Sequence, residues 1–240
     1  MKTDYDKIYS EYSQFQLDWN KKVGIRKAGQ LCELIEDEPT DSILEIGTGR
    51  GDVLNACLPF KVKVGADISN EALEQQRREY GTSRLVLLDA GSELPFEDKE
   101  FDFVLLCDIL EHVENPVKLL QEAARVGKNV FLKIPIENAI FIRLMHKLRH
   151  VRYGPEHPSG HLYCWNLADV RRIIKDAELE IKRSKFIPIH NEIAEKKYFL
   201  KTIVLSVINL IDLLIPNKVI SRNLVGGSLF AIAAAKKNQV

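Results

Sequence analysis

A stretch with glycine at three alternate positions constrains the fold of this 240-residue chain most strongly. From Ile43 to Asp52 it reads Ile-Leu-Glu-Ile-Gly-Thr-Gly-Arg-Gly-Asp, a short apolar strand followed by glycines where a helix begins. Glycine allows close backbone approach to a ligand and φ values that a Cβ forbids. Glu45 adds a carboxylate where many phosphate-binding loops have none. The loop is therefore predicted to hold a nucleoside-bearing cofactor with a positive group rather than a pyrophosphate.

Apolar runs and helix-favouring polar stretches alternate after this loop. The polar stretches 70–80 and 115–125 predict helices. This alternation is typical of an α/β fold, with a parallel sheet covered on both faces and a ligand at its carboxyl edge. The strands predicted after the first are 61–66, 84–88, 101–107, 126–134, 179–186 and 227–235.

The whole chain, 1–240, is predicted to form one domain, since 45% hydrophobic residues suffice for a single core of this size. Residues 1–38 predict a helical lead-in that Pro39 ends. Two insertions, over 136–165 and 187–223, interrupt the later strands and are predicted to belong to the same domain.

Charge and cysteine content exclude several classes of protein. Thirty-four basic residues balance thirty-four acidic ones, so no overall field attracts nucleic acid, and no nucleic-acid partner is predicted. The four cysteines show no Cys-x-x-Cys spacing. Met1 to Tyr12 is charged and lacks the apolar segment of a signal peptide. A reduced, cytoplasmic protein is expected.

Two further acidic residues follow predicted strands. Asp67 lies twenty residues after Gly47, where a carboxylate accepts hydrogen bonds from ribose hydroxyls. That placement also fits NAD, so a nicotinamide-dependent oxidoreductase remains an alternative. Three features favour a different cofactor: the Gly-x-Gly-x-Gly spacing, Glu45 before it, and Asp89 after the third strand. Asp89 would accept a hydrogen bond from the exocyclic amine of adenine.

From Ile43 to about Pro135 the sequence resembles the class I S-adenosylmethionine-dependent methyltransferases. The order and spacing of Asp89 to Phe96, Phe101 to Val104 and Asp108 to Val113 carry this resemblance, together with the glycine loop. It is strongest to the small-molecule group that includes ubiquinone and menaquinone methyltransferases (methyltransferase type 11). The resemblance implies a doubly wound, Rossmann-like, seven-stranded sheet, mostly parallel, with an antiparallel terminal hairpin and S-adenosyl-L-methionine as cofactor.

The resemblance also implies roles for single residues. The glycine loop and Glu45 would surround the methionine moiety, with Cys107 lending backbone atoms beside it. Asp67 would bind the ribose, and the remaining residues would contact adenine. The implied cofactor-binding residues are Glu45, Gly47, Thr48, Gly49, Asp67, Ile68, Asp89, Ala90 and Cys107.

His112 is the candidate catalytic residue, because it follows the fourth strand and titrates near neutral pH. Orientation supplies roughly 7 to 11 kcal/mol in such a transfer, whereas a general base adds about 10²- to 10⁴-fold. A structural histidine is therefore the competing interpretation. A cofactor-binding or scaffold protein without catalysis is the alternative for the whole chain.

The sequence also narrows the methyl acceptor. Cys107 to Leu110 lacks the Asn/Asp-Pro-Pro-Tyr/Phe motif of enzymes that methylate exocyclic amines of bases, and no Pro-Cys pair occurs. The methyl acceptor is expected to be a small molecule. Oxygen is favoured as the methylated atom, and carbon or an amine nitrogen remains an alternative. The insertions are predicted to form a lid on the acceptor side. The first insertion contains four basic residues, Arg143, Lys147, Arg149 and Arg152. They are predicted to form either a cationic patch that would hold an anionic acceptor or an ordinary solvent-exposed face.

Two sequence patterns bear on metals and membranes. His146 with His150 and His157 with His161 have the i,i+4 spacing of helical metal ligands, but Pro158 and Gly160 oppose a helix at the second pair, and no metal is predicted.

Residues 199–215 predict an amphipathic helix, which is interpreted as a lid, a dimer contact or a peripheral membrane contact with a lipid-like acceptor. The oligomeric state is not predicted.

Overall fold

The computed structural model describes residues 4–36, 38–148, 160–188 and 226–236. Its seven strands form one sheet in the order β3-β2-β1-β4-β5-β7-β6. The first five strands are parallel, and β7 runs antiparallel to both β5 and β6. The sheet confirms the predicted doubly wound fold with an antiparallel terminal hairpin. The strands are β1 (Ser42–Ile46), β2 (Val62–Asp67), β3 (Arg84–Leu87), β4 (Phe101–Cys107), β5 (Gly127–Ile136), β6 (Leu179–Pro188) and β7 (Gly227–Ala235).

Side-chain caps define where the longer helices begin. Ser69 accepts a hydrogen bond from the Ala72 amide at the start of α4, and Asn115 accepts one from the Lys118 amide at the start of α5. Asn166 caps α7 in the same way. The helices are α1 (Tyr5–Ser10), α2 (Gln14–Cys32), α3 (Asp52–Ala56), α4 (Asn70–Tyr80), α5 (Pro116–Val126), α6 (Ile140–Leu148) and α7 (Leu167–Asp176).

The sheet buries apolar side chains on both faces. Phe103 and Leu105 of β4 pack on the side of α2 and α3, and Val104 and Leu106 pack on the side of α5 and α7. All four side chains are fully buried. The strand therefore reads as a continuous apolar run, as expected for the centre of a covered parallel sheet.

The boundaries of the two predicted insertions differ from the structure by one or two residues. β5 continues to Ile136 and β6 to Pro188, because both residues pair with Gly227 of β7. Residues 149–159 and 189–225 lie outside the described part of the chain. The lid and the 199–215 helix therefore stay predictions. No described helix combines the length and the apolar character needed to cross a bilayer.

Candidate active site

A cavity of about 190 Å³ lies at the carboxyl ends of β1 to β4. β1 is bordered by β2 on one side and β4 on the other, so the loops after β1 and β4 diverge and leave a crevice between them. α1 also contributes to the wall. The described residues that line the cavity are Tyr5, Tyr9, Gly47, Asp67, Ile68, Leu88, Asp89, Ala90, Asp108, Ile109, His112 and Val113.

The loop after β1 needs glycine for its shape and for its close neighbours. Gly49 and Gly51 have φ values of +53° and +77°. A Cβ on Gly49 would lie 2.7 Å from the Tyr9 hydroxyl, and one on Gly51 would lie 2.4 Å from the Gln76 side chain. Both the backbone conformation and the packing therefore exclude a side chain.

Asp67 connects this loop to β2 and faces the cavity. Its Oδ2 accepts a hydrogen bond from the Gly49 amide at 2.7 Å, and its Oδ1 accepts one from the Ser69 amide at 2.9 Å. Burial raises the pKa of Asp67, although both amides favour the ionised form. Since each carboxylate oxygen has two lone pairs, Asp67 holds the loop and still has acceptor capacity for ribose hydroxyls.

Glu45 lies beneath the loop. Its Oε2 accepts hydrogen bonds from the Thr48 hydroxyl at 3.1 Å and the Leu54 amide at 3.0 Å. The side chain is 2% exposed, and burial raises its pKa to about 8. The structure therefore gives Glu45 and Thr48 a role in holding the loop onto α3, and their contact with a methionine moiety stays a prediction.

The residues expected to contact adenine lie together on one wall. Ile68, Asp89 and Ala90 all line the cavity. The Gly91 amide donates to the Asp89 carboxylate at 3.0 Å, which fixes the turn after β3. An apolar side chain beside a carboxylate and backbone groups suits an adenine ring and its amine. Cys107 is buried at the end of β4, and burial raises the pKa of its thiol, which leaves its backbone for the expected role.

The loop after β4 is held by a cluster of charges. Asp108 has a left-handed backbone with φ 53°, and its carboxylate pairs with Lys27 of α2 at 2.6 Å and with Lys133 of β5. Although burial acts in the opposite direction, the two lysines hold the pKa of Asp108 well below its usual range. This pairing fixes the direction in which the following residues enter the cavity.

His112 lies on the cavity wall, as expected for a residue that contacts the acceptor. Its Nδ1 is 3.3 Å from the Gly160 carbonyl oxygen. Burial and the neighbouring His161 lower its pKa, so the neutral ring that accepts a proton is favoured. Its position in the cavity is consistent with a direct role, and the role itself stays a prediction.

Sequence reasoning missed the contribution of α1 to the site. Tyr9 lies over the glycine loop, and burial raises the pKa of its phenol. Asp6 attaches α1 to α4, since its carboxylate accepts from the Ser69 hydroxyl at 2.6 Å and the Glu71 amide at 3.0 Å. The i,i+4 spacing of Tyr5 and Tyr9 was the available signal in the sequence.

Of the four predicted patch residues, Arg143 and Lys147 are exposed on α6. Arg149 and Arg152 lie outside the described residues. Whether these side chains form one anion-binding surface stays a prediction.

Comparison with known proteins agrees with this geometry. Residues 44–130 match a family described as a methyltransferase domain. An uncharacterized protein of Methanocaldococcus jannaschii is 36% identical over 124 residues, which span 52% of this chain and 56% of that protein. The sarcosine/dimethylglycine N-methyltransferase of Aphanothece halophytica is 29% identical over 122 residues, 44% of this chain and 41% of that enzyme. The matches thus span about half the length of these relatives.

A solved structure supports the fold along nearly the whole chain. An S-adenosylmethionine-dependent methyltransferase from Thermotoga maritima superposes with a TM-score of 0.61 at 17% identity, over 97% of this chain and 98% of that one. At this identity the likeness shows the fold. The matched domain contains the glycine loop and the loops after β2, β3 and β4. Residues 44–130 therefore form a methyltransferase domain, and the chain has the fold of the class I S-adenosylmethionine-dependent methyltransferases, whose cofactor is S-adenosylmethionine.

Proposed function

We propose that this chain transfers the methyl group of S-adenosylmethionine to an oxygen atom of a small acceptor that is anionic or lipid-linked. The observation that carries the proposal is that Asp67, Asp89 and His112 face one cavity beside the glycine loop. The first two suit the nucleoside half of the cofactor, and His112 lies on the adjoining wall, where the acceptor would bind.

The cofactor supplies a sulfonium methyl group that is already activated. The main tasks of the protein are therefore to orient the acceptor behind this methyl group and to exclude water from the cavity. Orientation of this kind is worth roughly 7 to 11 kcal/mol. Ile109 and Val113 present apolar side chains next to His112 in the cavity and would keep water from the acceptor. His112 would contact the acceptor and orient or deprotonate its hydroxyl group.

Oxygen is favoured because the residues after β4 lack the motif for exocyclic amines. An amine is the alternative outcome, since one relative bears the name of an N-methyltransferase. The exposed Arg143 and Lys147 on α6 support an anionic acceptor. The proposals of a lipid-linked acceptor and of a peripheral membrane contact rest on the amphipathic helix that the sequence predicts over 199–215. Co-sedimentation of the protein with anionic vesicles tests that part, and recovery in the supernatant alone would refute it.

The cofactor is tested first by titrating the purified chain with S-adenosylhomocysteine in a calorimeter. Saturable binding is expected, and the absence of heat with either this product or the methyl donor would refute the proposal. The acceptor is then sought by incubating the protein with radiolabelled S-adenosylmethionine and fractions of a cell extract. A labelled small molecule with a new O-methyl group is expected, whereas a labelled amine would overturn the oxygen assignment.

A further inference from the structure

Three potential metal ligands from two distant segments meet beside the cavity. Glu111 and His112 lie in the loop after β4, and His161 lies in the segment that leads into α7. The Leu162 amide donates to the Glu111 carbonyl at 2.7 Å, which joins the two segments. One ligand atom from each of the three side chains lies within 4.8 Å of the others. We call these three residues the Glu-His-His cluster.

Glu111 is the least expected member of the cluster. Its side chain is 1% exposed, and neither of its carboxylate oxygens has a hydrogen-bond partner among the described residues. A buried carboxylate without donors costs several kcal/mol unless a cation compensates it or it takes up a proton, and burial raises the pKa of Glu111 to about 8. Since buried polar groups in folded proteins are almost always satisfied, this pair of oxygens points to a missing donor or cation.

The two histidines have the orientation found around metals. His161 Nδ1 lies 2.8 Å from the Glu137 carboxylate, and His112 Nδ1 lies 3.3 Å from the Gly160 carbonyl. A metal-ligating histidine usually donates from one ring nitrogen to a carboxylate or carbonyl and coordinates through the other. The two rings are edge to face, with their centroids 4.9 Å apart.

We propose that the Glu-His-His cluster binds one divalent transition-metal ion of the zinc type and that this ion faces the methyl acceptor. Two imidazoles and one carboxylate suit zinc and leave a coordination position open. Tetrahedral zinc ligands lie about 3.4 Å apart for bonds of about 2.0–2.1 Å. The ligand atoms lie within 4.8 Å of one another, so the side chains have to close by up to about 1.4 Å. The cluster escaped the sequence analysis because His161 is distant from Glu111 and His112 along the chain.

The action of the ion on the acceptor rests on the proposed transfer to oxygen, and in it the bound ion, rather than a free His112 ring, activates the acceptor hydroxyl, because both ring nitrogens of His112 are then occupied. A cation at the cavity wall lowers the pKa of a hydroxyl bound to it, and the proton leaves to solvent. The acceptor oxygen then forms a bond to the methyl carbon as the bond from methyl carbon to sulfur breaks. The electron pair remains on sulfur, which becomes a neutral thioether, and the metal keeps its oxidation state.

Metal binding is tested without any acceptor. The full chain is stripped with chelator and titrated with Zn²⁺ by calorimetry and with Co²⁺ by visible absorption. One ion per chain is expected, with affinity falling at least tenfold in Glu111→Gln and His161→Asn. Glu114→Gln, a carboxylate change at an exposed position in the same loop, should bind as the unaltered chain does.

The readouts separate this inference from the proposed function. S-adenosylhomocysteine binding checks that each variant is folded, and if Glu111→Gln fails that check, His161→Asn decides alone. If the unaltered chain binds neither Zn²⁺ nor Co²⁺, or both variants bind them as tightly as it does, the metal site is refuted. Failure of the chain to bind S-adenosylhomocysteine would instead refute the cofactor proposal and leave the metal result standing.

Discussion

At the scale of single residues, two glycines with similar backbones differ in what surrounds them. Gly51 and Gly81 have φ values of +77° and +65°, but a Cβ would meet Gln76 at 2.4 Å in the first case and nothing within 4 Å in the second. Gly81→Ala should cost about 1 kcal/mol from backbone strain alone. Gly51→Ala should cost about 1–3 kcal/mol more, because overpacking adds to the strain. Urea unfolding measures both variants, and equal losses would show that Gln76 moves freely.

His112 belongs to the same scale. His112→Ala should lower turnover by about 10²- to 10⁴-fold, the range for a residue that assists proton transfer. Its affinity for S-adenosylhomocysteine should change by less than about twofold, because the residues that suit the nucleoside lie on the loops after β2 and β3. Glu114→Gln in the same loop serves as the control. Unchanged turnover in His112→Ala would support the structural interpretation of this histidine.

At the scale of secondary-structure elements, α1 forms part of the wall of the cofactor cavity. Among the described residues the cavity measures about 190 Å³, which is smaller than the roughly 300–1,000 Å³ of most small-molecule sites. We therefore expect α1 to shift outward when the cofactor binds. Asp6→Asn weakens the hydrogen bonds to the Ser69 hydroxyl and the Glu71 amide, so it should loosen α1.

The measurement for α1 is amide hydrogen exchange with and without S-adenosylhomocysteine. Residues of α1 should exchange faster in Asp6→Asn, and the product should bind a few-fold more tightly, because displacing a loosened α1 costs less. Glu11→Gln, which changes only an exposed pair with Lys7, is the control and should behave as the unaltered chain. Identical exchange in both variants would mean that Asp6 does not hold α1 in place.

Element types were easier to predict than element ends. The strand runs, the polar stretches 70–80 and 115–125 and the glycine loop are local signals, and the structure confirms the elements they predict. The ends of β5 and β6 were placed too early because pairing with Gly227, distant along the chain, extends both strands. Local periodicity carries no information about such pairing.

At the scale of the whole molecule, Asp102 joins the starts of three chain segments. Its carboxylate accepts from the Asp41 amide at 3.0 Å and the Ser42 amide at 3.1 Å, and it pairs with Lys128 at 2.8 Å. Burial opposes ionisation, but Lys128 and the amides prevail and lower the pKa of Asp102 below its model-compound value of 3.8. The ionised carboxylate therefore stabilises the fold above about pH 4, and that stability is lost as the pH falls through the lowered pKa.

Asp102→Asn should reduce the free energy of unfolding by about 1–3 kcal/mol at pH 7. The difference from the unaltered chain should be the same at pH 5.5 and should narrow as the pH falls below about 4, because the unfolded chain takes up a proton first and the folded carboxylate follows at its lowered pKa. Urea unfolding across this pH range makes the measurement. Asp98→Asn, at a largely exposed partner of Arg125, should show no such difference. A gap that persists unchanged at pH 3 would contradict the assignment.

The sequence by itself determined the seven strands, the helices over 70–80 and 115–125, the glycine loop, the acidic residues at or just after the ends of β2 and β3 and the class of cofactor, because each depends on neighbours within a few residues. Only the tertiary structure decided that Glu45 holds the loop from below and that Tyr9 of α1 covers it. It also brought His161 next to Glu111 and His112. These contacts join residues that are distant along the chain, and folding of the sheet is what makes them neighbours.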